Sequence, residues 1–62
     1  MTKYILSSGT SVVCKILETE TIITDNIDKA LLYDTIGDAM RNATKVNELL
    51  GTYSYRVIAI ET

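Results

Sequence analysis

The chain of 62 residues contains no histidine, proline, tryptophan or phenylalanine, and it has one cysteine and three glycines. The lack of histidine removes the commonest general base and metal ligand. The glycines are dispersed at Gly9, Gly37 and Gly51, so no glycine-rich loop precedes a helix to hold a phosphate. These absences leave no catalytic pair of side chains, and we expect a non-enzymatic protein without a cofactor.

Strong charge of one sign and long apolar runs are also missing. Six basic and eight acidic residues are interspersed and give a net charge of −2. Nucleic-acid binding is therefore not favoured, because a net-negative chain forfeits the electrostatic attraction that dominates it. The apolar run at residues 4–6 is too short for a signal peptide or a membrane span. With a single cysteine, the pattern is typical of a cytoplasmic protein without a membrane partner.

The cysteine and the aspartates are the remaining candidates for reactive or metal-binding groups. Cys14 lies in an apolar strand-like run and has no histidine to serve as a base, so we interpret it as a small buried hydrophobe rather than a nucleophile. Asp25, Asp28, Asp34 and Asp38 supply oxygen ligands, but their spacing matches no calcium loop. Turn and cap roles fit them better, and we predict no metal site.

The clearest structural pattern covers residues 35–50. Thr35 is a candidate N-cap, and Asp38 three residues later is suited to the reciprocal hydrogen bond of a shortened capping box. Gly51 is suited to a left-handed helix end. Polar residues fall on the opposite side from the apolar ones, which is typical of an amphipathic helix. The apolar positions recur at helical spacing and comprise Ile36, Ala39, Met40, Ala43, Val46 and Leu50.

The flanking segments are rich in β-branched and aromatic residues, which favour strands. The predicted strands are residues 3–7, 11–18, 21–24 and 52–61. A turn at residues 8–10 joins the first two strands in a hairpin. Between the third strand and the helix we predict a helical turn near Asp28, followed by extended residues 31–33.

This element order predicts a single α+β domain over residues 1–62. It has two layers: a largely antiparallel sheet of three or four strands and one helix on one face. A domain this small buries only about 60% of the surface of its unfolded chain. Apolar residues on both sides of the strands predict a homodimer or higher oligomer, formed through the uncovered sheet face or an edge strand. Scattered surface apolar residues are the alternative interpretation.

Residues 24–40, TDNIDKALLYDTIGDAM, carry a family resemblance. They resemble very short proteins of bacteriophages and prophages, in which a hairpin leads to this segment, a helix and a last strand. The resemblance implies the same fold and a phage origin, and it transfers no catalytic residue. The matching positions are Thr24, Asp25, Ile27, Ala30, Tyr33, Asp34, Thr35 and Ala39.

Two functional hypotheses follow. The first is an interaction protein that, as the resemblance implies, binds a host protein and inhibits or modulates it by occlusion, for example a defence factor. The alternative is an accessory module that binds nucleic acid or a small ligand through strand tyrosines. We expect one of the two tyrosines near Arg56 to be exposed and Tyr33 to lie in the core. The candidate interaction residues are Tyr53, Tyr55, Arg56, Asp38, Arg41 and Lys45.

Overall fold

The computed structural model describes residues 1–62 and has the predicted α+β architecture, a four-stranded antiparallel sheet with one helix. A short 3-10 turn precedes the helix at Ile27–Lys29, where a helical turn is predicted. The elements are β1 (Thr2–Ser7), β2 (Val12–Ile16), β3 (Thr21–Thr24), α1 (Ile36–Leu50) and β4 (Arg56–Glu61).

Both predicted ends of α1 are confirmed. The Thr35 hydroxyl accepts a hydrogen bond from the Asp38 N–H at 3.2 Å, and Gly51 adopts a left-handed conformation with φ of 64°. Because a residue with a side chain is strained there, glycine suits the helix end. The second half of the capping box is absent, since the Asp38 carboxylate pairs with Arg41.

The helix packs on the sheet through small side chains, so the predicted apolar stripe is only half right. Ala39, Ala43 and Val46 are buried, whereas the larger Ile36 and Met40 are exposed. Small residues at the centre let the helix approach the strands closely, and the larger ones are left at its flanks. The core cluster consists of Leu6, Val13, Ala39, Ala43, Val46 and Tyr55, with Tyr4, Ile16, Tyr33 and Val57 packed against it.

The strands are ordered β3-β2-β1-β4, so β3 and β4 are the two edges. The second strand is shorter than predicted and carries a bulge between Val13 and Lys15. The bulge explains the two-sided apolar pattern in the sequence, because it shifts which side chains face the helix. Cys14 lies at this irregularity and is half-buried rather than buried.

A segment from outside the four strands fills a gap in the middle of the sheet. Strands β1 and β2 pair directly only where Ser7 faces Val12. Beyond that point Leu31 donates its N–H to the Val13 carbonyl at 2.9 Å. Tyr33 exchanges two backbone hydrogen bonds with Tyr4, at 2.8 and 3.0 Å. The predicted extended stretch at residues 31–33 is thus confirmed, and it satisfies backbone groups that the diverging strands leave free.

The last strand begins four residues later than predicted. Its predicted first half is fixed by a side chain of α1: Asn47 Nδ2 donates to the Tyr55 carbonyl, and the Tyr55 N–H donates to Asn47 Oδ1, both at 3.1 Å. Both backbone groups of Tyr55 are therefore already used, so they are not free to pair with a neighbouring strand. This side-chain clamp anchors the start of β4 to the helix.

The two faces of the sheet differ in what covers them. Leu6 and Val13 face the helix as members of the core cluster, and Val57 packs against that cluster from the same face. Strand alternation places Ile58 and Ile60 on the opposite face with their cross-strand neighbours. That face is not uniformly open, because Ile5 is only 1% exposed. Its apolar residues reach solvent at the two edge strands, where Ile22 is 41% and Ile58 is 43% exposed.

Candidate functional site

The outer edge of β4 is the most extended unpaired backbone of the sheet. Met1 and Thr62 exchange two hydrogen bonds, at 2.7 and 2.9 Å, so they form a hydrogen-bonded pair at the end of the β1–β4 register. Because such pairs alternate along antiparallel strands, the backbone groups of alternate β4 residues point inward to β1. Those of Val57, Ala59 and Glu61 point outward and have no backbone partner. We call these outward groups the β4 edge.

The side chains of β4 form two rows beside this edge. Val57, Ala59 and Glu61 lie on the helix side, and Arg56, Ile58 and Ile60 lie on the other side. Charge is confined to the two ends of the strand. β4 is therefore a regular, proline-free apolar edge, the kind of strand that pairs readily with another chain.

Arg56 lies in a groove of about 470 Å³ at the start of β4. Its guanidinium forms no ion pair and no hydrogen bond within the chain. Arg56 and Ser7 are cross-strand neighbours, and the Ser7 hydroxyl accepts the Gly9 N–H at 3.0 Å, so its proton remains available for donation. We call this the Arg56 groove; it is lined by Ser7, Ser8, Gly9, Ser54, Arg56 and Ile58.

The two neighbouring tyrosine candidates differ in solvent exposure. Tyr53 is 95% exposed in the turn before β4, whereas Tyr55 is buried under the helix. One exposed tyrosine was expected, but strand alternation is not the reason for its exposure, because neither tyrosine belongs to β4. Tyr53 borders a second open groove of about 510 Å³ at the end of α1, shared with Thr44, Asn47, Glu48, Gly51 and Thr52.

The three predicted helix candidates lie together on the solvent side of α1. Asp38 forms an ion pair with Arg41 one turn later, and Lys45 is exposed beside them without an ion pair. An exposed pair of this kind contributes little to stability. Arg56 is at the start of β4. The six candidates therefore do not form one surface, because Tyr55 is buried and the others are divided between α1 and the region around the start of β4.

Metal-ligating side chains do not cluster in the structure. Nowhere do three or more histidine, cysteine, aspartate or glutamate side chains gather. Burial raises the pKa of Tyr33, because it disfavours the charged phenolate. Its hydroxyl oxygen is buried without a hydrogen-bond partner, and the side chain packs against the core cluster, which indicates a packing role.

Comparisons of the chain with protein-family models, with curated proteins and with solved structures found no match. The resemblance of residues 24–40 to short phage proteins therefore stays a prediction. No helix in the structure combines the length and the apolar character needed to cross a bilayer.

Arg56 and Tyr53 were nominated from the sequence and stay candidates. An edge strand was also predicted as a pairing surface, but the sequence did not show which edge or which of its backbone groups would be unpaired. The alternation of residues 56–61 was visible, yet which backbone groups point outward depends on the pairing partner and its register. The contributions of Ser7 and Asn47 were missed for the same reason. Each acts on a segment that lies far away in the chain, and no local pattern marks it.

Proposed function

We propose that this protein is a non-enzymatic binding protein that attaches to a partner protein by adding a strand of the partner to the β4 edge. The observation that supports this proposal most strongly is the row of unpaired backbone groups at Val57, Ala59 and Glu61. Backbone pairing at such an edge supplies affinity, and the alternating side chains supply specificity.

The surroundings of the β4 edge fit an interface. Ile58 offers apolar surface beside the edge and Tyr53 offers an exposed aromatic ring nearby, while Arg56 offers a charge without an internal partner. Tyrosine and arginine are enriched among the residues that dominate binding energy. A strand with apolar alternate residues would cover both the backbone groups and Ile58.

The identity of the partner rests on the phage resemblance. We propose a host protein, for example a defence factor, and inhibition or modulation by covering part of its surface. A second copy of the chain would compete for the same edge, and the homo-oligomer also stays a prediction. Light scattering across tens of micromolar tests it, because a mass equal to one chain throughout would exclude self-pairing.

The tyrosine-based nucleic-acid alternative has less support. Tyr55 is buried, and Tyr4 packs against the core, so the strand tyrosines do not form a shared exposed stacking platform. Only Tyr53 is free to stack. A net charge of −2 adds no attraction for phosphates.

The proposed function is tested by capture of tagged protein from nuclease-treated bacterial lysate, followed by mass spectrometry. Three baits are compared: wild type, Ile58→Lys on the β4 edge strand and Ile22→Lys on β3. The two isoleucines have nearly equal exposure, so the lysine variants are matched controls for surface charge and stability.

The proposal predicts one protein retained by wild type and by Ile22→Lys but reduced at least about tenfold by Ile58→Lys, because lysine would lie at the centre of the interface. Capture that Ile58→Lys leaves intact would place the interface elsewhere. Capture that nuclease abolishes would favour the nucleic-acid alternative.

A further inference from the structure

We infer that the partner strand carries an acidic side chain opposite Arg56, preceded by apolar side chains opposite Ile58 and Ile60. In antiparallel pairing the partner would read apolar-x-apolar-x-(Asp or Glu). This inference rests on the proposed function, since it specifies the chemistry of a strand added to the β4 edge. It follows from the pairing rules and from three side chains.

The hydrogen-bonding phase of β4 fixes which partner residues face which side chains. Outward backbone groups belong to Val57, Ala59 and Glu61, so hydrogen-bonded pairs with an antiparallel partner form at these positions. Arg56, Ile58 and Ile60 then occupy the intervening pairs. In those pairs the side chains of opposite residues lie on the same face and approach most closely.

The side chains on that row set the partner's chemistry. Ile58 is partly exposed, and Ile60 is its neighbour on the same strand face, so apolar residues opposite them would complete their burial. Arg56 has no ion pair. Its planar guanidinium can donate two parallel hydrogen bonds to a carboxylate, so a carboxylate suits it. The Arg56 groove therefore favours an aspartate or glutamate of the partner.

A second copy of the chain does not satisfy Arg56. When two β4 strands pair antiparallel about a twofold axis, residues of the same face lie opposite each other. Arg56 would face residues from the row of Ile58 and Ile60, which contains no acid. The one acidic side chain of β4, Glu61, would project from the helix side of the sheet. Charge complementarity therefore favours a different protein over self-pairing.

The inference is tested with blocked synthetic peptides titrated into isotope-labelled full-length protein and followed by amide chemical shifts. The first peptide alternates threonine with valine, so that valines face Ile58 and Ile60, and it has glutamate opposite Arg56. Two control peptides have glutamine or lysine instead of that glutamate. Inorganic phosphate is titrated separately as a free anion.

We expect the glutamate peptide to shift the amides of Val57, Ala59 and Glu61 and to bind about threefold to fivefold more tightly than the glutamine peptide, the range of an exposed ion pair. Arg56→Glu should reverse the order, so that the lysine peptide binds best. Retention of the fold in this variant is checked by its spectrum.

Equal binding of the glutamate and glutamine peptides would overturn the inference while leaving the β4 edge as the binding surface. Binding of neither peptide at millimolar concentration would also overturn it. Competition by phosphate for the Arg56 groove with no preference among the peptides would assign the groove to a free anion and reject the strand pattern. The lysate capture tests the proposed function independently of all three results.

Discussion

The two edge strands of this sheet are protected to very different degrees. β3 has four residues, pairs with a bulged stretch of β2, and is followed at once by Asp25 in a turn. Short length, bulges and nearby charge are the features by which proteins prevent unwanted pairing at sheet edges. β4 has six residues in regular register and charges only at its ends. This contrast is the reason that we propose β4, and not β3, as the edge that pairs with a partner.

The middle of the sheet offers a second contrast with β4. Where β1 and β2 diverge, the chain supplies its own segment, and Tyr33 takes both backbone groups of Tyr4. Where β4 ends the sheet, no segment does so. Backbone groups are thus paired in the interior and on one side of β4, whereas the chain supplies no segment for the outward groups of β4.

The strongest test of this phase is a pair of prolines in β4. Ile58→Pro removes an N–H that points to β1 and should lower the free energy of unfolding by more than about 2 kcal/mol, since a buried acceptor is left unpaired. Ala59→Pro removes an N–H that points outward and should cost no more than about 1 kcal/mol, because edge strands tolerate proline there. Urea denaturation of both variants gives the two values, and equal losses would contradict the assigned phase.

The anchor of β4 gives the next largest effect. Asn47→Ala removes both hydrogen bonds to the Tyr55 backbone and should lower the free energy of unfolding by about 1–2 kcal/mol. Asn47→Asp keeps an acceptor for the Tyr55 N–H but loses the donor, so it should fall between wild type and Asn47→Ala. Thermal unfolding at constant pH ranks the three proteins, and an Asn47→Ala protein as stable as wild type would show that the clamp is not needed.

The direct comparison of the two edges uses lysine at matched positions. Ile22→Lys on β3 and Ile58→Lys on β4 should each change the free energy of unfolding by less than about 1 kcal/mol, because both side chains are already partly in water. Only Ile58→Lys should impair partner binding. Urea denaturation and titration with the captured partner supply the two readings; impaired binding by both variants, or by Ile22→Lys alone, would remove the distinction between the edges.

The smallest expected effect concerns Tyr33, in the segment that fills the gap between β1 and β2. Burial raises the pKa of Tyr33 in the folded protein, so its neutral form is favoured there. Its contribution to stability is fully present below the unfolded-state pKa of about 10 and is lost as pH rises through the higher folded pKa. Tyr33→Phe should remove the part of the alkaline decrease in unfolding free energy that comes from ionisation of the Tyr33 hydroxyl. The difference in unfolding free energy between the two proteins, measured from pH 8 to about pH 11, should therefore change above pH 10, and a constant difference would argue against a buried hydroxyl.

Local patterns in the sequence were enough for the helix, its caps and the element order. The spacing of Ala39, Ala43 and Val46 indicates the buried helix face, and Thr35 and Gly51 indicate its ends. The same spacing did not show that Ile36 and Met40 would be exposed, because that depends on how closely the helix approaches the sheet. Propensity alone placed residues 52–55 in the last strand, where the Asn47 side chain determines the backbone.

The candidate site was predictable only in its composition. Arg56 and one exposed tyrosine could be nominated from their residue types. Which face each row of β4 side chains occupies, however, is determined only by the pairing of β4 with β1. The outward groups of Val57, Ala59 and Glu61 are a property of strand order. They follow from the register between β1 and β4, which joins the two ends of the chain and is invisible to local patterns.

Amide hydrogen exchange along β4 in the free protein at low concentration tests directly whether the β4 edge is unpaired. We predict fast exchange at Val57, Ala59 and Glu61 and slow exchange at Ile58 and Ile60. On saturation with the captured partner, the three fast amides should become slow. Slow exchange at all five amides in the free protein, or fast amides that the bound partner leaves unprotected, would contradict the assignment of the β4 edge as the binding surface.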